Sequence, residues 1–341
     1  MVKVAINGFG RIGRVAFRAA LEKYADKVEI VAINTSDSMD VEDWAHLLKY
    51  DSVYGKFQGE IAVLRGSQTE LGVLKINGRK YPLLSEREPR KIPWSKYGVD
   101  VVLEATGVFR KGKDCEGHLS SGAKKVIISA PPKDETPTYI VGVNTDQYQG
   151  EPIVSNASCT TNCIAPIAKI MRENFRVVKA MMTTVHAYTA DQRLVDGSHQ
   201  DLRRARAGAL NIIPTSTGAA KALGCVIPEM SNSFDGLAIR VPVACGSLVD
   251  FTFLLDQNVR VERMNRILEQ AALGSYRGIV ETSNEPLVSS DIVGSSASAI
   301  VDLELTQVVG GNLVKIIAWY DNEYGYACRL IELASIIGET K

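Results

Sequence analysis

The sequence predicts an α/β chain in two parts: a doubly wound parallel sheet, then an α+β region built on a mixed, largely antiparallel sheet. Three observations carry this expectation. Up to about residue 155, short apolar strands alternate with amphipathic helical stretches, the rhythm of parallel strands joined by helices. After residue 160 the strands lengthen and alternate apolar with polar, which suits antiparallel strands with one face covered by helices. A chain of 341 residues is also long enough to bury two cores.

In chain order, VKVAIN (2–7) is the first strand, followed by a helix to about Tyr24. The strand VEIVAIN (28–34) and the helical segment WAHLLKY (44–50) come next. IAVLRG, GVLKING and RKYPLL read as antiparallel strands inserted into the parallel scheme. VDVVLEAT (99–106), KKVIISAP (124–131) and PIVSN (152–156) resume it. The long strands of the second half are VVKAMMTTVHAY, GLAIRVPV, GSLVDFTFLLD and NLVKIIAWYD. Residues 189–216, TADQRLVDGSHQDLRRARAGALNIIPTS, form a polar, aperiodic stretch, and loops of that length are usually functional or interfacial. A last helix is expected from about Tyr324 to Ile337.

Composition narrows the function. With 39 basic and 39 acidic residues the net charge is zero, so there is no electrostatic footprint for nucleic acid or an anionic membrane. The six cysteines form no C-x-x-C pair, which points to free thiols in a reducing compartment. Met1 leads directly into a strand without a leader, and no apolar run approaches a membrane span. A soluble, cytoplasmic protein is expected.

Two motifs and one constellation carry chemistry. Gly8, Gly10 and Gly13 form G-x-G-x-x-G between a strand and a helix, where backbone N–H groups can approach a pyrophosphate. In SNASCTTNCIAPIAK, Cys159 follows a strand and opens a helix, where the macrodipole favours a thiolate and lowers the thiol pKa. Ser158, Thr160 and Thr161 add hydroxyls and backbone donors; Cys163, one turn on, reads as a buried core thiol. Pro166 is awkward for a regular helix, because its ring opposes the carbonyl of Asn162. These spacings do not fit zinc ligands, and no metal is expected. Of the four histidines, His46 and His118 read as structural or surface residues and His199 lies in the polar loop. His186, late in its strand, is the candidate base for Cys159. Thr189, Arg203, Arg204, Arg206, Thr217, Gly218 and Arg240 suggest anion binding. Arg240 stands mid-strand among apolar residues and needs an anionic partner.

Together these segments resemble the phosphorylating glyceraldehyde-3-phosphate dehydrogenase family, of bacterial and plastid-like type, along essentially the whole chain. The matching stretches are INGFGRIGR, AHLLKYDSV, EATGVF, SNASCTTNCIAPIAK, TTVHAYTADQ, DLRRARA, TGAAKA and WYDNEYGY. The resemblance implies a Rossmann dinucleotide-binding domain over residues 1–158 and a catalytic domain over 159–321. It further implies a C-terminal helix, 322–341, returning to the first domain, and a homotetramer using the loop after Thr189 at subunit contacts. The implied substrates are glyceraldehyde 3-phosphate and inorganic phosphate, with NADP or NAD as cofactor. Cys159 would form a thiohemiacetal and then a thioester, with His186 as base. Carried over residue by residue, Thr189 and Arg240 hold the substrate phosphate. Ser158, Thr160, Thr217, Gly218 and Arg204 serve the attacking phosphate. Gly8, Gly10, Arg11, Ile12 and Gly13 lie under the pyrophosphate, Ser129 near the nicotinamide ribose, and Asn322 at the carboxamide. Thr106, Gly107 and Tyr326 are further cofactor contacts, and Tyr324 replaces a tryptophan common in this segment. The rival readings are an erythrose-4-phosphate dehydrogenase, which tends to lose the threonine of HAYT, a non-enzymatic scaffold of the same fold, and a cysteine hydrolase.

One position departs from the usual pattern. A dinucleotide fingerprint predicts an acidic residue at the tip of the second strand to hold the ribose hydroxyls, yet the tip reads Asn34, Thr35, Ser36. Thr35 removes the repulsion a carboxylate would exert on a 2′-phosphate. By the same resemblance, Ser198, following Gly197 at a position where members using NADP often have serine, and Arg87, matching a position that can reach the adenosine phosphate, point the same way, so NADP is favoured over NAD. The competing expectation is that Asp37 or Asp40 supplies the missing carboxylate.

Overall fold

A computed structural model of the chain describes residues 1–66 and 70–340 and divides into two compact units. One comprises Met1–Tyr139, Asn144–Ala157 and the chain from Ala327 onward; the other comprises Ile140–Val143 and Ser158–Tyr326.

The first unit is built on an eight-stranded sheet. Its elements begin with β1 (Val2–Asn7), α1 (Arg11–Lys23), β2 (Val28–Asn34) and α2 (Val41–Lys49). A small hairpin of β3 (Tyr50–Asp51) and β4 (Gly55–Lys56) precedes β5 (Ile61–Arg65), β6 (Glu70–Ile76) and β7 (Arg79–Leu84). The rest is α3 (Trp94–Tyr97), β8 (Val101–Glu104), α4 (Gly112–Ser120), β9 (Lys125–Ile128) and β10 (Ile153–Ser155). The sheet order is β10-β9-β8-β1-β2-β7-β6-β5. Pairing is parallel from β10 through to β7 and antiparallel for β7–β6 and β6–β5. RKYPLL is therefore the strand at which the sheet changes sense. Val4, Ala5 and Ile6 are fully buried, as expected for a central parallel strand covered on both faces.

The expected strand at 99–106 is shorter in the structure. The Val99 amide is spent on the Trp94 carbonyl, and past Glu104 the chain turns away through Gly107 at φ 73°. Glycine meets no steric penalty at that positive φ.

The second unit opens with α5 (Cys159–Asn174) and β11 (Val177–Ala187). There follow β12 (Ile213–Thr215), α6 (Ala219–Val226), β13 (Phe234–Val241), β14 (Ser247–Leu255) and α7 (Val261–Leu273). The unit's sheet is completed by β15 (Val280–Ser283), β16 (Ala299–Val309) and β17 (Leu313–Tyr320). α8 (Tyr324–Glu339) begins here and continues into the first unit. The seven strands are ordered β12-β13-β11-β14-β17-β16-β15, and most neighbours are antiparallel. β13 is an exception, running parallel to β11, and so does β15 beside β16. The long connection between β11 and β13, which includes α6, supplies the crossover that parallel neighbours need.

α5 runs through Pro166 without ending, although the proline cannot donate to the Asn162 carbonyl. The helix is held by burial: from Thr160 to Ala168 every residue is buried. Among the described residues no helix is long and apolar enough to cross a membrane.

Candidate active site

The nucleophile position is built by helix capping. Ser158 is the N-cap of α5, its Oγ accepting from the Thr161 amide at 3.2 Å, and Cys159 is the first helical residue. The preceding Ala157 sits at φ 52°, a left-handed conformation that costs a residue with a Cβ roughly 1–2 kcal/mol. Ala157 is fully buried, with its amide donating to Ser155 Oγ at 2.9 Å, so its surroundings enforce that conformation.

His186 reaches this helix end from β11. Its Nε2 lies 3.4 Å from Cys159 Sγ, and its Nδ1 lies 2.7 Å from the Ala187 carbonyl. That carbonyl also accepts from Arg240 Nη1 at 3.1 Å. With Nδ1–H donating to Ala187, the Nε2 lone pair faces the thiol, the tautomer a base requires. Strand register explains the neighbours: His186 stands opposite Arg240 in the parallel β11–β13 pair, so both side chains project from one face. Tyr320 meets the imidazole edge-on at 5.9 Å between ring centroids. Its hydroxyl lies 2.9 Å from both Thr160 Oγ1 and Thr184 Oγ1, tying α5 to β11.

Burial pushes the Cys159 thiol above its ordinary value, opposed by the Arg240 guanidinium and by hydrogen bonds from Thr160. Helix position alone favours a thiolate, but desolvation of the half-buried Cys159 acts in the other direction and outweighs it. His186, 3% exposed, is lowered to about 3, first by burial and then by Arg240. The resting arrangement is thus a neutral thiol against a neutral imidazole, with a proton to pass between them.

The arginines differ in how many donors they have left. Arg204 is engaged by Asp191, by Thr215 Oγ1 at 2.9 Å and by the Ser216 carbonyl at 2.9 Å. Arg206 pairs with Asp196 at 2.7 Å, and Arg203 is exposed. Arg240 Nη1 donates to the Ala187 carbonyl and to Thr189 Oγ1, the last at 3.3 Å, and in this tautomer only lies near His186 Nδ1, at 3.0 Å, while its buried Nε has no partner among the described residues. It retains the capacity to hold an anion. Thr217 Oγ1 accepts from the Ala219 amide at 3.2 Å beside Gly218, at the start of α6. Thr160 turns inward, its hydroxyl spent on Tyr320 and the nucleophile rather than presented to a substrate.

In the first unit the glycine loop is shaped by contact. A Cβ on Gly8, at φ 99°, would lie 2.6 Å from the Thr106 amide, and one on Gly13 would lie 2.0 Å from the Gly8 carbonyl. Neither position admits a side chain. Gly10 is the N-cap of α1 and offers no capping side chain, so no cap competes with an anion at that helix end. Arg11 is held by Asp51 and lies over the Tyr54 ring, and Ile12 is half-buried. Thr106 bonds Glu104 through both its amide and its hydroxyl, and the half-buried Ser129 pairs its amide with the Glu104 carbonyl. These residues fit a dinucleotide's pyrophosphate and ribose.

Residues 2–112 match the NAD binding domain of glyceraldehyde 3-phosphate dehydrogenase, and residues 158–322 match its C-terminal domain. The chain is 51% identical to glyceraldehyde-3-phosphate dehydrogenase 1 of Bacillus cereus, with 98% of each chain covered. It is 51% identical to the glyceraldehyde-3-phosphate dehydrogenase of Streptomyces coelicolor, covering 99% of this chain and 98% of that one. To that of Geobacillus stearothermophilus it is 50% identical over 98% of each. The chain belongs to the glyceraldehyde-3-phosphate dehydrogenase family.

Against that family background, the tip of β2 shows what replaces the expected carboxylate. Asn34 spends its amide on Asn7 Oδ1 at 2.7 Å and on both backbone groups of Glu86 at 2.9 Å, so its side chain fastens the tip. Thr35 is buried with its amide on the Leu84 carbonyl, and Ser36 Oγ pairs with Ser38 Oγ at 2.7 Å. Neither aspartate nearby stands in simply for the missing acid: Asp40 caps α2, accepting from the Asp43 amide at 2.9 Å, and Asp37 pairs with Arg87 at 2.9 Å. Ser198 is exposed, its carbonyl accepting from Arg193 Nε at 2.8 Å. Asn322 has its Oδ1 fixed by the Gly246 amide at 3.1 Å and Ser247 Oγ at 2.9 Å; Tyr326 is buried. These last three lie in the second unit, apart in sequence from the glycine loop. Sequence reasoning missed Tyr320 and Glu104. An aromatic or an acid at a strand end among apolar residues looks like packing until its hydrogen bonds are seen.

Proposed function

We propose that the protein catalyses the reversible oxidation and phosphorylation of D-glyceraldehyde 3-phosphate to 1,3-bisphosphoglycerate. The observation that carries this reading is the 3.4 Å approach of His186 Nε2 to Cys159 Sγ beside an arginine with unspent donors. His186 Nε2 takes the thiol proton, the Cys159 thiolate attacks the aldehyde carbon, and Nε2 returns that proton to the carbonyl oxygen to give a thiohemiacetal. Thr189 and Arg240 hold the phosphate of the substrate. That phosphate offsets the guanidinium charge which depresses His186, so substrate binding makes the base stronger where it is needed. His186 then removes the hydroxyl proton as the carbon–hydrogen bond breaks. Gly8, Gly10, Arg11, Ile12 and Gly13 with Thr106, Gly107 and Ser129 would hold a nicotinamide dinucleotide, which would supply the acceptor for that hydride. The product of this step is a thioester on Cys159. Inorganic phosphate, received by Ser158, Thr217, Gly218 and Arg204, attacks the thioester carbon, and the Cys159 thiolate leaves. Arg204 exchanges its Asp191 partner for phosphate in this step. Nicotinamide reduction followed by absorbance should require both the aldehyde and phosphate; turnover without phosphate would exclude the reading.

For the cofactor, NADP is the proposed preference. Thr35 offers no charge, and the Arg87–Asp37 pair is exposed, where solvent screens ion pairs to little net value, so Arg87 can exchange Asp37 for a 2′-phosphate. Thr35→Asp is expected to shift the NAD-to-NADP ratio of kcat/KM toward NAD by about tenfold or more, one added like charge at close range. An unchanged ratio would show that this position is not the selector.

Assembly as a homotetramer accounts for a further feature. The loop after Thr189 exposes Leu194, Val195, Leu202, Leu210 and Ile212, an apolar set that a monomer would leave in water. A sedimentation mass of four chains is expected, and a single-chain mass would overturn this assignment.

A further inference from the structure

We propose that Glu104 is a positioning residue for the dinucleotide: one buried carboxylate that fixes three cofactor loops at once. The proposal rests on the reading of those loops as the nicotinamide-dinucleotide site. Glu104 ends β8 and is 1% exposed. Its Oε1 accepts from the Thr106 amide at 2.9 Å and from the Thr106 hydroxyl. Its Oε2 accepts from Asn7 Nδ2 at 2.6 Å and lies 3.2 Å from His118 Nε2.

His118, fully buried, is set for this by Trp94, whose indole Nε1 donates to Nδ1 at 2.9 Å. With Nδ1 accepting, the ring proton is on Nε2 and points at Glu104. On the other side Asn7 Oδ1 accepts from Asn34, which in turn brackets the backbone of Glu86. A continuous run of hydrogen bonds therefore crosses the C-terminal ends of β8, β1 and β2: Trp94, His118, Glu104, Asn7, Asn34, Glu86.

Three of the proposed cofactor loops of this unit leave the sheet at a member of that run. The glycine loop begins directly after Asn7, the tip carrying Thr35 and Ser36 directly after Asn34, and the Thr106–Gly107 loop is bonded to Glu104 itself. The loops also touch, since Gly8 packs where a Cβ would strike Thr106 and Ala105. A change in one member moves all three. No apolar residue can replace the carboxylate without leaving the buried donors of Asn7 and His118 unmatched and giving up both bonds from the exposed Thr106, and a buried polar network is costly when only partly satisfied.

The test uses Glu104→Gln in the full chain, with calorimetric titration of NAD and NADP, steady-state kinetics and the rate of Cys159 alkylation. The amide keeps the shape but turns a donor toward Asn7 and His118. Expected is a rise in Kd and KM for both cofactors of about tenfold to a hundredfold, the range for one unmatched buried group. Expected too are kcat at saturating cofactor within about threefold and an unchanged alkylation rate, because this network does not include the thiol. Adding Asn7→Asp in that background restores an acceptor opposite the new donor and should recover much of the cofactor affinity. Thr106→Val, at an exposed position, breaks one of the four bonds without disturbing the core and should raise the same KM by about threefold. Wild-type protein that binds neither dinucleotide would overturn the site reading and this proposal with it. If the wild type binds and Glu104→Gln binds equally well, the site reading stands and the positioning role falls. Cofactor affinity and alkylation lost together would show a general folding role, which also overturns it.

Discussion

Cys159→Ser is expected to lower phosphate-dependent turnover by about 10⁴-fold or more, the scale on which removing an enzyme's nucleophile acts. The serine hydroxyl occupies the same helix end, but it titrates far above a thiol, and a neutral imidazole beside Arg240 cannot ionise it. Burial already raises the Cys159 thiol; a hydroxyl in that enclosure would stay protonated. Dinucleotide affinity, which the proposals above assign to the glycine loop and the Glu104 network, should be unchanged in the variant. Steady-state assays together with calorimetric titration separate the two. Loss of cofactor binding along with turnover would indicate damage to the fold rather than removal of the nucleophile.

His186→Asn is the second large effect, with kcat expected to fall by about 10²–10⁴-fold, the usual contribution of a general acid–base group. Asparagine can still contact Ala187 but cannot accept the thiol proton. The rate of alkylation of Cys159 by a neutral reagent near neutral pH should therefore fall in the variant. Stability should respond in a defined direction as well. The folded imidazole is lowered to about 3 from its ordinary 6.5, so between those values the unfolded chain binds a proton that the folded chain refuses. The stability from this residue is present above pH 6.5 and is lost as pH falls toward 3; the asparagine variant should lack that acid sensitivity. Denaturant titrations over this range provide the check, and identical acid profiles for the two proteins would contradict the buried, neutral histidine.

The parts legible in the sequence are those whose signal is local. The apolar run of β1, the glycine loop it feeds and the helix start at Cys159 each follow from neighbouring residues. Register and burial are not local. GLAIRVPV alternates as an antiparallel strand would, and only its parallel pairing with β11 sets Arg240 opposite His186. β16 escaped notice because a bulge between Asp302 and Gln307 breaks its alternation. Thr160 sits beside the nucleophile in sequence, yet the helix turns its hydroxyl toward Tyr320, 160 residues away. The thiol's shift was misjudged for the same reason: helix position can be read from residues, enclosure cannot. His118 was expected to be structural or at the surface, and its place under the cofactor loops depends on Trp94 and Glu104 meeting it from two other elements.

The proposed reaction requires a covalent acyl intermediate on one cysteine. The direct measurement is mass spectrometry of the protein mixed with glyceraldehyde 3-phosphate and oxidised cofactor while phosphate is withheld. A single acyl group per chain is expected on the peptide carrying Cys159, with an equal amount of reduced cofactor formed, and added phosphate should clear it. An acyl group on Cys163 or Cys225 instead, or cofactor reduction with no protein-bound acyl group, would contradict the account.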